Sequence, residues 1–331
     1  PQVEENFVAT DYTLYSDIID LTGSSVGTGR GESIFTIDLN HDGKNDIIIS
    51  EYTVGLKWLE NTGAGFISHS ITSSATNIYE ITAVDINGDG HIDILSTSVG
   101  PSNGNVIVYI NNGNKPNPSF TATPIGFVGS GRSIFIIDMN LDGQLDILIT
   151  SRTDDTIYWF EASASGSNQF IKRTVTSTAG GVHYAVAGDI DNDGDIDVIC
   201  ANKDDGNFIL YKNNGFQVFT PNKIYDASSA AFVQLKDIDH DGDLDIIGSA
   251  RNTNELIYFE NDGSGNFNTA QIISNTALNA RQMTSMDFDG DGDEDIIAVS
   301  RDDIASITYY ENYQQSFCNQ GSFSNNGRVN G

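Results

Sequence analysis

The sequence predicts an all-β fold, a β-propeller of six four-stranded blades, with seven blades as the alternative. Three observations point there. A nine-residue aspartate motif recurs six times at near-even spacing, short β-branched runs flank every copy, and an aromatic residue returns at one place after each. No segment sustains a helical period, and a repeat of this length marks stacked units rather than a single-core domain.

Each unit reads in the same order. First comes a short apolar run: SIFTI, ITAV, SIFII, YAVAG, FVQLK or MTSM. Such runs, bounded by Gly, Asn, Asp or Ser, are strand signals. The motif follows, Asp-x-(Asp/Asn)-x-Asp-Gly-x-x-Asp. It reads DLNHDGKND from Asp38, DINGDGHID from Asp85, DMNLDGQLD from Asp138, DIDNDGDID from Asp189, DIDHDGDLD from Asp237 and DFDGDGDED from Asp287. The steps between first aspartates are 47, 53, 51, 48 and 50 residues. A second strand follows at once, as IIIS, ILST, ILIT, VICA, IIGS or IIAV. The third run ends near Trp58, Tyr109, Trp159, Tyr211, Tyr258 or Tyr309, in frames such as LKWLEN and LIYFEN. One aromatic at one place per unit reads as packing between neighbouring units. A Gly-rich turn, clearest in NTGAGF and NDGSGNF, leads into a fourth strand. Four antiparallel strands at this period make a propeller blade.

Strand arithmetic then closes the ring. Six loops supply six first, second and third strands but only five fourth strands between them. Residues 1–31, with FVAT and DIIDL, are expected to supply the missing one. Residues 32–312 hold the six repeats and residues 313–331 form a C-terminal tail, so the chain 1–331 reads as one domain.

The composition excludes some function classes. Asp plus Glu is 46 against 16 Lys plus Arg, a net charge of −30. Such a surface repels phosphate backbones, so nucleic acid is not an expected partner. No stretch reaches the ~18 apolar residues of a membrane-spanning helix, and no membrane insertion is expected. There is no nucleophile elbow, HExxH, P-loop or dinucleotide fingerprint, so the reading leans away from an enzyme. Two cysteines are no disulfide framework. Cys200, at the end of a second strand, reads as core.

The nonapeptide looks like the first two-thirds of an EF-hand loop. Oxygens at positions 1, 3, 5 and 9 converge, Gly at position 6 turns the chain, and the carbonyl of position 7 adds a ligand. The candidate ligands are Asp38, Asn40, Asp42 and Asp46, then Asp85, Asn87, Asp89 and Asp93, then Asp138, Asn140, Asp142 and Asp146. In the second half they are Asp189, Asp191, Asp193 and Asp197, then Asp237, Asp239, Asp241 and Asp245, then Asp287, Asp289, Asp291 and Asp295. A flexible all-oxygen set suits Ca²⁺ better than Mg²⁺. The loops hold 25 of the 46 acids, and about six Ca²⁺ would bring −30 to −18. Asp, Asn and Gly also build plain solvated turns. Six copies at one spacing favour the metal.

The alternation of these loops with I-x-(W/Y)-x-x-N segments resembles the FG-GAP/VCBS repeat family, which includes the calcium-binding blades of integrin α-subunit propellers. The resemblance covers about residues 30 to 312. It implies a propeller in an extracellular or cell-surface setting, where weak calcium sites of roughly 10⁻⁴ to 10⁻³ M stay filled. The literal Phe-Gly and Gly-Ala-Pro signatures are absent, so an integrin-type role does not carry over.

The face opposite the loops can be read by alignment. Six residues before each first aspartate stand Glu32, Tyr79, Arg132, His183, Ala231 and Arg281, with Arg30 two residues further out. Fourteen residues after it stand Tyr52, Val99, Arg152, Lys203, Arg251 and Arg301. Six of the eight arginines fall in these two turns. One reading is local neutralisation, since Asp154 and Asp155 follow Arg152, Asp204 and Asp205 follow Lys203, and Asp302 and Asp303 follow Arg301. The other is a basic, partly aromatic patch for an anionic ligand, with Arg132, Arg281, His183, Tyr79, Arg152, Lys203, Arg251 and Arg301 as its candidates. The expected function is therefore a secreted or surface, lectin-like or adhesive module that takes a carbohydrate or other glycan or protein ligand. One alternative is a lyase on acidic polysaccharide, in which Arg132 or Arg281 neutralises a uronate while His183, Tyr184 or Tyr79 takes the proton. Another is a structural subunit of a surface filament.

Overall fold

The computed structural model describes residues 31–51, 54–99, 105–163, 168–288, 290, 292–300 and 306–312. Blade 1 comprises β1 (Gly31–Ile37), β2 (Asp46–Glu51), β3 (Gly55–Asn61) and β4 (Phe66–Thr72). Blade 2 has β5 (Ile78–Val84), β6 (Asp93–Ser98), β7 (Asn105–Asn111) and β8 (Phe120–Phe127). Blade 3 has β9 (Gly131–Ile137), β10 (Asp146–Ser151), β11 (Thr156–Ala162) and β12 (Phe170–Thr176). Blade 4 has β13 (Val182–Gly188), β14 (Asp197–Asn202), β15 (Asn207–Asn213) and β16 (Phe219–Asp226). Blade 5 has β17 (Ala230–Lys236), β18 (Asp245–Ala250), β19 (Glu255–Phe259) and β20 (Gln271–Ser274), and blade 6 has β21 (Ala280–Met286), β22 (Asp295–Ser300) and β23 (Ser306–Tyr310).

Five sheets are four-stranded meanders and the sixth shows three strands among the described residues. This is the expected six-bladed propeller. The strand expected to complete the sixth blade lies in residues 1–31, and all but Gly31 of that stretch falls outside the described residues, as do the tail, Cys318, Tyr52, Arg301, Asp289 and Asp291. The first strands of successive blades contact one another from β1 to β21 and so line the axis.

Burial follows position in the blade. Strands β6, β10, β14 and β18 are buried at every residue. Each is clamped between the blades on either side, which is why it is a continuous apolar run rather than an alternating one. The outer β4, β8, β12 and β16 are mostly exposed or half-buried. The core is a set of slabs between blades. Trp58 packs on Ile78 and Ile81 of the next blade, Trp159 on Val182 and Ala185, and Tyr258 on Ala280 and Met283. Tyr109 and Tyr211 are shifted by one residue in register and join the slab shared with the preceding blade, so these aromatics fill inter-blade slabs as expected but not from one place in every blade. Cys200 is a fully buried thiol in the slab between blades 3 and 4, and burial pushes its pKa up to about 12.

The aspartate loops share one backbone turn at positions 4 and 6. Position 4 is left-handed in each, as His41, Gly88, Leu141, Asn192, His240 and Gly290, and so is the glycine at position 6. The left-handed region costs an ordinary L-residue roughly 1–2 kcal/mol, while Asn tolerates it through its short polar side chain. Leu141 sits there at φ 58° and is 57% exposed, so it takes the strain without the benefit of burial. Leu141→Asn should stabilise the fold by about 1 kcal/mol, visible as a melting temperature higher by about 1–2 °C. Asn192→Leu, at the same position of blade 4, should shift it the other way.

Candidate functional site

The two faces of the disc are built at opposite ends of the axial strands, roughly 20 Å apart along a seven-residue strand. At the C-terminal ends lie the aspartate loops. The position-1 carboxylate turns inward on its own loop and accepts the amide of the position-6 glycine in all six, from Asp38 with Gly43 at 2.8 Å to Asp287 with Gly292 at 3.1 Å. The position-5 side chain accepts the amide of position 7, as in Asp42 with Lys44 and Asp241 with Asp243.

The position-9 aspartate does something else. Asp46, Asp93, Asp146, Asp197, Asp245 and Asp295 have no solvent exposure. One oxygen of each accepts the amide that ends the third strand, at 2.7–2.9 Å, from Asn61, Asn111, Ala162, Asn213, Asn261 and Asn312. In blades 1, 3, 4, 5 and 6 the other oxygen accepts the amide of loop position 2. Tyr258 and Tyr309 add hydroxyl donors to Asp245 and Asp295. Burial holds the carboxyls of Asp46, Asp93, Asp146, Asp197 and Asp245 above the usual range, at about 7 for Asp93 and Asp245 and about 6 for Asp197. The Asn of the recurrent W/Y-x-x-N frame also ties back. In blades 1 and 5 its Nδ2, from Asn61 and Asn261, donates to the carbonyl of loop position 8, and in blades 2 and 4 the Asn one residue earlier in the frame, Asn111 and Asn213, does the same. The sequence displayed an Asn three residues after the aromatic in every frame but blade 3's, and which Asn ties back shows only in the fold.

Carboxylate oxygens of Asp189, Asp191 and Asp193 lie within 4.8 Å of one another, as do those of Asp237, Asp239 and Asp241. Asp189 Oδ1, Asp191 Oδ1 and Asp237 Oδ1 are buried with no hydrogen-bond donor. Buried oxygens without donors and a hard, all-oxygen set fit a divalent cation such as Ca²⁺. Neighbouring loops also join. Asn192 Nδ2 donates to Asp243 Oδ1 at 2.7 Å, and Lys212 reaches both Asp191 and the Ser264 carbonyl in the next blade.

At the other end of the axial strands, every first strand carries a one-residue β-bulge against its neighbour. The bulged residue in each blade is the one six before the first aspartate: Glu32, Tyr79, Arg132, His183, Ala231 and Arg281. A bulge frees its extra residue from the ladder and re-aims the side chain. The residue fourteen after the first aspartate is anchored beside it. The amides of Val99, Arg152, Lys203 and Arg251 donate to the carbonyls of Asn77, Ser130, Gly181 and Ser229, just before the bulges.

These two rows meet at the axial mouth. Tyr79 of blade 2 and His183 of blade 4 are hydrogen-bond neighbours at 3.4 Å, although a whole blade separates them in sequence. The Arg132 guanidinium lies 4.3 Å from the centre of the Tyr79 ring. Arg251 Nη2 is 3.3 Å from His183 Nε2. Burial and then the nearness of Arg251, Arg132 and Lys203 hold His183 well below the usual imidazole range, and burial followed by Arg152, Arg251 and Arg132 depresses Lys203. Arg281 holds the equivalent bulge in blade 6 and is half-buried.

The local-neutralisation reading fails for Arg152, which pairs not with Asp154 or Asp155 but with Asp204 in the next blade at 2.8 Å. Asp154 instead accepts Ser151 Oγ and the Gly129 amide, and Asp155 accepts the Gly181 amide. No helix among the described residues is long and apolar enough to cross a membrane.

Next to the bulge in blade 2, burial pushes the Glu80 carboxyl up to about 8. A raised acid contributes most below its unfolded value and loses that contribution as pH rises through the folded one. Glu80→Gln should therefore be nearly neutral at pH 5 and progressively stabilising relative to the parent up to pH 9, in paired thermal melts. A constant difference across that range would contradict this assignment.

Solved structures share the architecture. An Agrocybe aegerita lectin, described as recognising non-reducing terminal N-acetylglucosamine, superposes with TM-score 0.60 at 19% identity over 88% of this chain and 80% of its own. BBS1N, solved in complex with ARL6DN, gives 0.55 at 12% identity over 85% and 79%. A protein from Lactobacillus plantarum gives 0.58 at 16% over 89% and 83%. At these identities the likeness is one of fold. No curated protein sequence matches the chain. The FG-GAP-like repeat profile matches five times in overlapping windows, over residues 38–96, 85–149, 138–200, 189–248 and 237–298, each running from one aspartate loop past the next. The windows span most of the chain, and the protein belongs to the FG-GAP-like repeat family.

Proposed function

We propose that this propeller is a calcium-stabilised extracellular binding module whose ligand, a carbohydrate or other anionic group, docks on the face opposite the aspartate loops. The observation that carries the reading is the chemical opposition of the two faces. Carboxylates converge in loops at one end of the axial strands, and cations from blades 3, 4 and 5 converge at the other. About six Ca²⁺ would be held by loop positions 1, 3 and 5 and the position-7 carbonyl. Position 9 would lend the lone pairs its amide bonds leave over. Calcium there supplies structure, not chemistry, by cancelling carboxylate repulsion that otherwise opposes the compact loop. Sites of this kind fill at the millimolar calcium outside cells. Among the fold's neighbours a lectin and BBS1N, solved with ARL6DN, support a binding role.

A glycan array probed with calcium and with EDTA tests the reading. Calcium-dependent capture of anionic glycans is the expected result, and an empty array under both conditions speaks against a glycan ligand.

Calorimetric titration of calcium should find about six sites, and removal should lower the melting temperature by many degrees, since each ion that binds only the native state adds stability by mass action. Asp193→Ala should cost one site and leave the remainder. Fewer than three sites would sink the six-loop assignment.

A further inference from the structure

We propose that the axial mouth is a receptor for one compact oxyanion, the class that includes sulfate esters and uronate carboxylates, gripped by Arg132, Lys203 and Arg251, with His183 as the positioning residue. This rests on reading the mouth as the ligand face and deepens it.

The first support is convergence. Four blades send side chains to one spot, and contacts that skip a blade, such as Tyr79 with His183, arise only across the axis. The second is charge. Among the described residues Arg152 is paired with Asp204, whereas Arg132 and Lys203 enter no ion pair. Arg132 Nε is buried with no acceptor. A buried guanidinium N–H without an acceptor, set among like charges, carries a standing cost that an entering oxyanion relieves. The third is the shape of the aromatic content. One face of the Tyr79 ring is already covered by Arg132 and its hydroxyl is turned to His183, so the ring is engaged by the charged cluster itself. Recognition here reads charge rather than stacking.

His183 has a definite state. Its Nδ1 lies 3.0 Å from the Ala231 carbonyl oxygen, which can only accept, so Nδ1 carries the proton. Nε2 is then an acceptor, and Arg251 and Tyr79 both point donors at it. The imidazole is 8% exposed and stays neutral among its cationic neighbours. Its lone pair is committed to orienting Arg251 and Tyr79. It is therefore poorly placed to take a proton from a substrate, which argues against the polysaccharide-lyase alternative at this site.

The test titrates the calcium-loaded protein with sodium sulfate, sodium glucuronate and N-acetylglucosamine, following melting temperature and calorimetric heat. Sulfate, glucuronate or both should bind and raise the melting temperature, while N-acetylglucosamine should leave it unchanged. Which anion binds more tightly separates a tetrahedral from a planar preference. Arg132→Ala and Lys203→Gln should each weaken anion binding about ten- to hundredfold, the usual loss for one charge-assisted contact. At low salt the melting temperature of either ligand-free variant should stay level or rise, since a like charge is removed. A purely structural role would lower it. His183→Gln, which keeps an acceptor, should retain affinity within about threefold, and His183→Leu should lose about tenfold, as expected when a positioning hydrogen bond goes. Absence of binding by both anions, or anion binding that survives Arg132→Ala and Lys203→Gln unchanged, overturns the proposal. Calcium-dependent capture of neutral glycans in the same protein would overturn it while leaving the binding-module reading intact.

Discussion

A buried carboxylate at the ninth position of each loop is the interaction on which the blades depend. It has no exposure in any blade, yet in five of the six it ties together three places at once: the start of its own loop, the head of the second strand and the end of the third. A charge or acid proton in such a place is tolerated only when donors surround it. The fold supplies backbone amides, which no substitution except proline removes, and in two blades a tyrosine hydroxyl as well. With the loop fixed against the third strand, the second strand between them has one available register. Its unbroken apolar run is then presented to both neighbouring blades. The inter-blade slabs follow from that placement.

Much of this was legible in the sequence because it repeats. The loops, the strands beside them, the aromatic packing position and the six-blade count all come from one period. Even the two rows of mouth residues could be aligned by counting from the first aspartate. What could not be read is what depends on register or on a neighbouring blade. The bulge under Arg132 and His183 is a difference of one residue between two paired strands, invisible until they pair. Asp204 as partner of Arg152 lies 52 residues away, and nearer acids in the sequence made a local pairing look equally good. The state of His183 depends on the carbonyl of Ala231, a backbone atom no motif records.

The two faces also differ in how their charge is managed. On the loop face, the acids at positions 1 and 5 are organised by short bonds to amides of their own loop, and position 9 by amides of its own blade, so most of each loop's order comes from within one blade. On the mouth face, the charged groups come from separate blades and are organised only by closure of the ring. The loops would thus retain their character in a fragment of the propeller, while the mouth exists only in the assembled disc.

The bulge has a consequence for how such a protein can change. Its extra residue stands outside the hydrogen-bonded ladder, so the strand does not depend on which side chain it carries. In this one chain the six equivalent places hold Glu32, Tyr79, Arg132, His183, Ala231 and Arg281: an acid, an aromatic, two guanidiniums, an imidazole and a methyl group on the same backbone. The frame keeps its geometry under all of them. The mouth is therefore a place where chemistry can be rewritten one blade at a time, as the aspartate loops and the inter-blade core stay fixed.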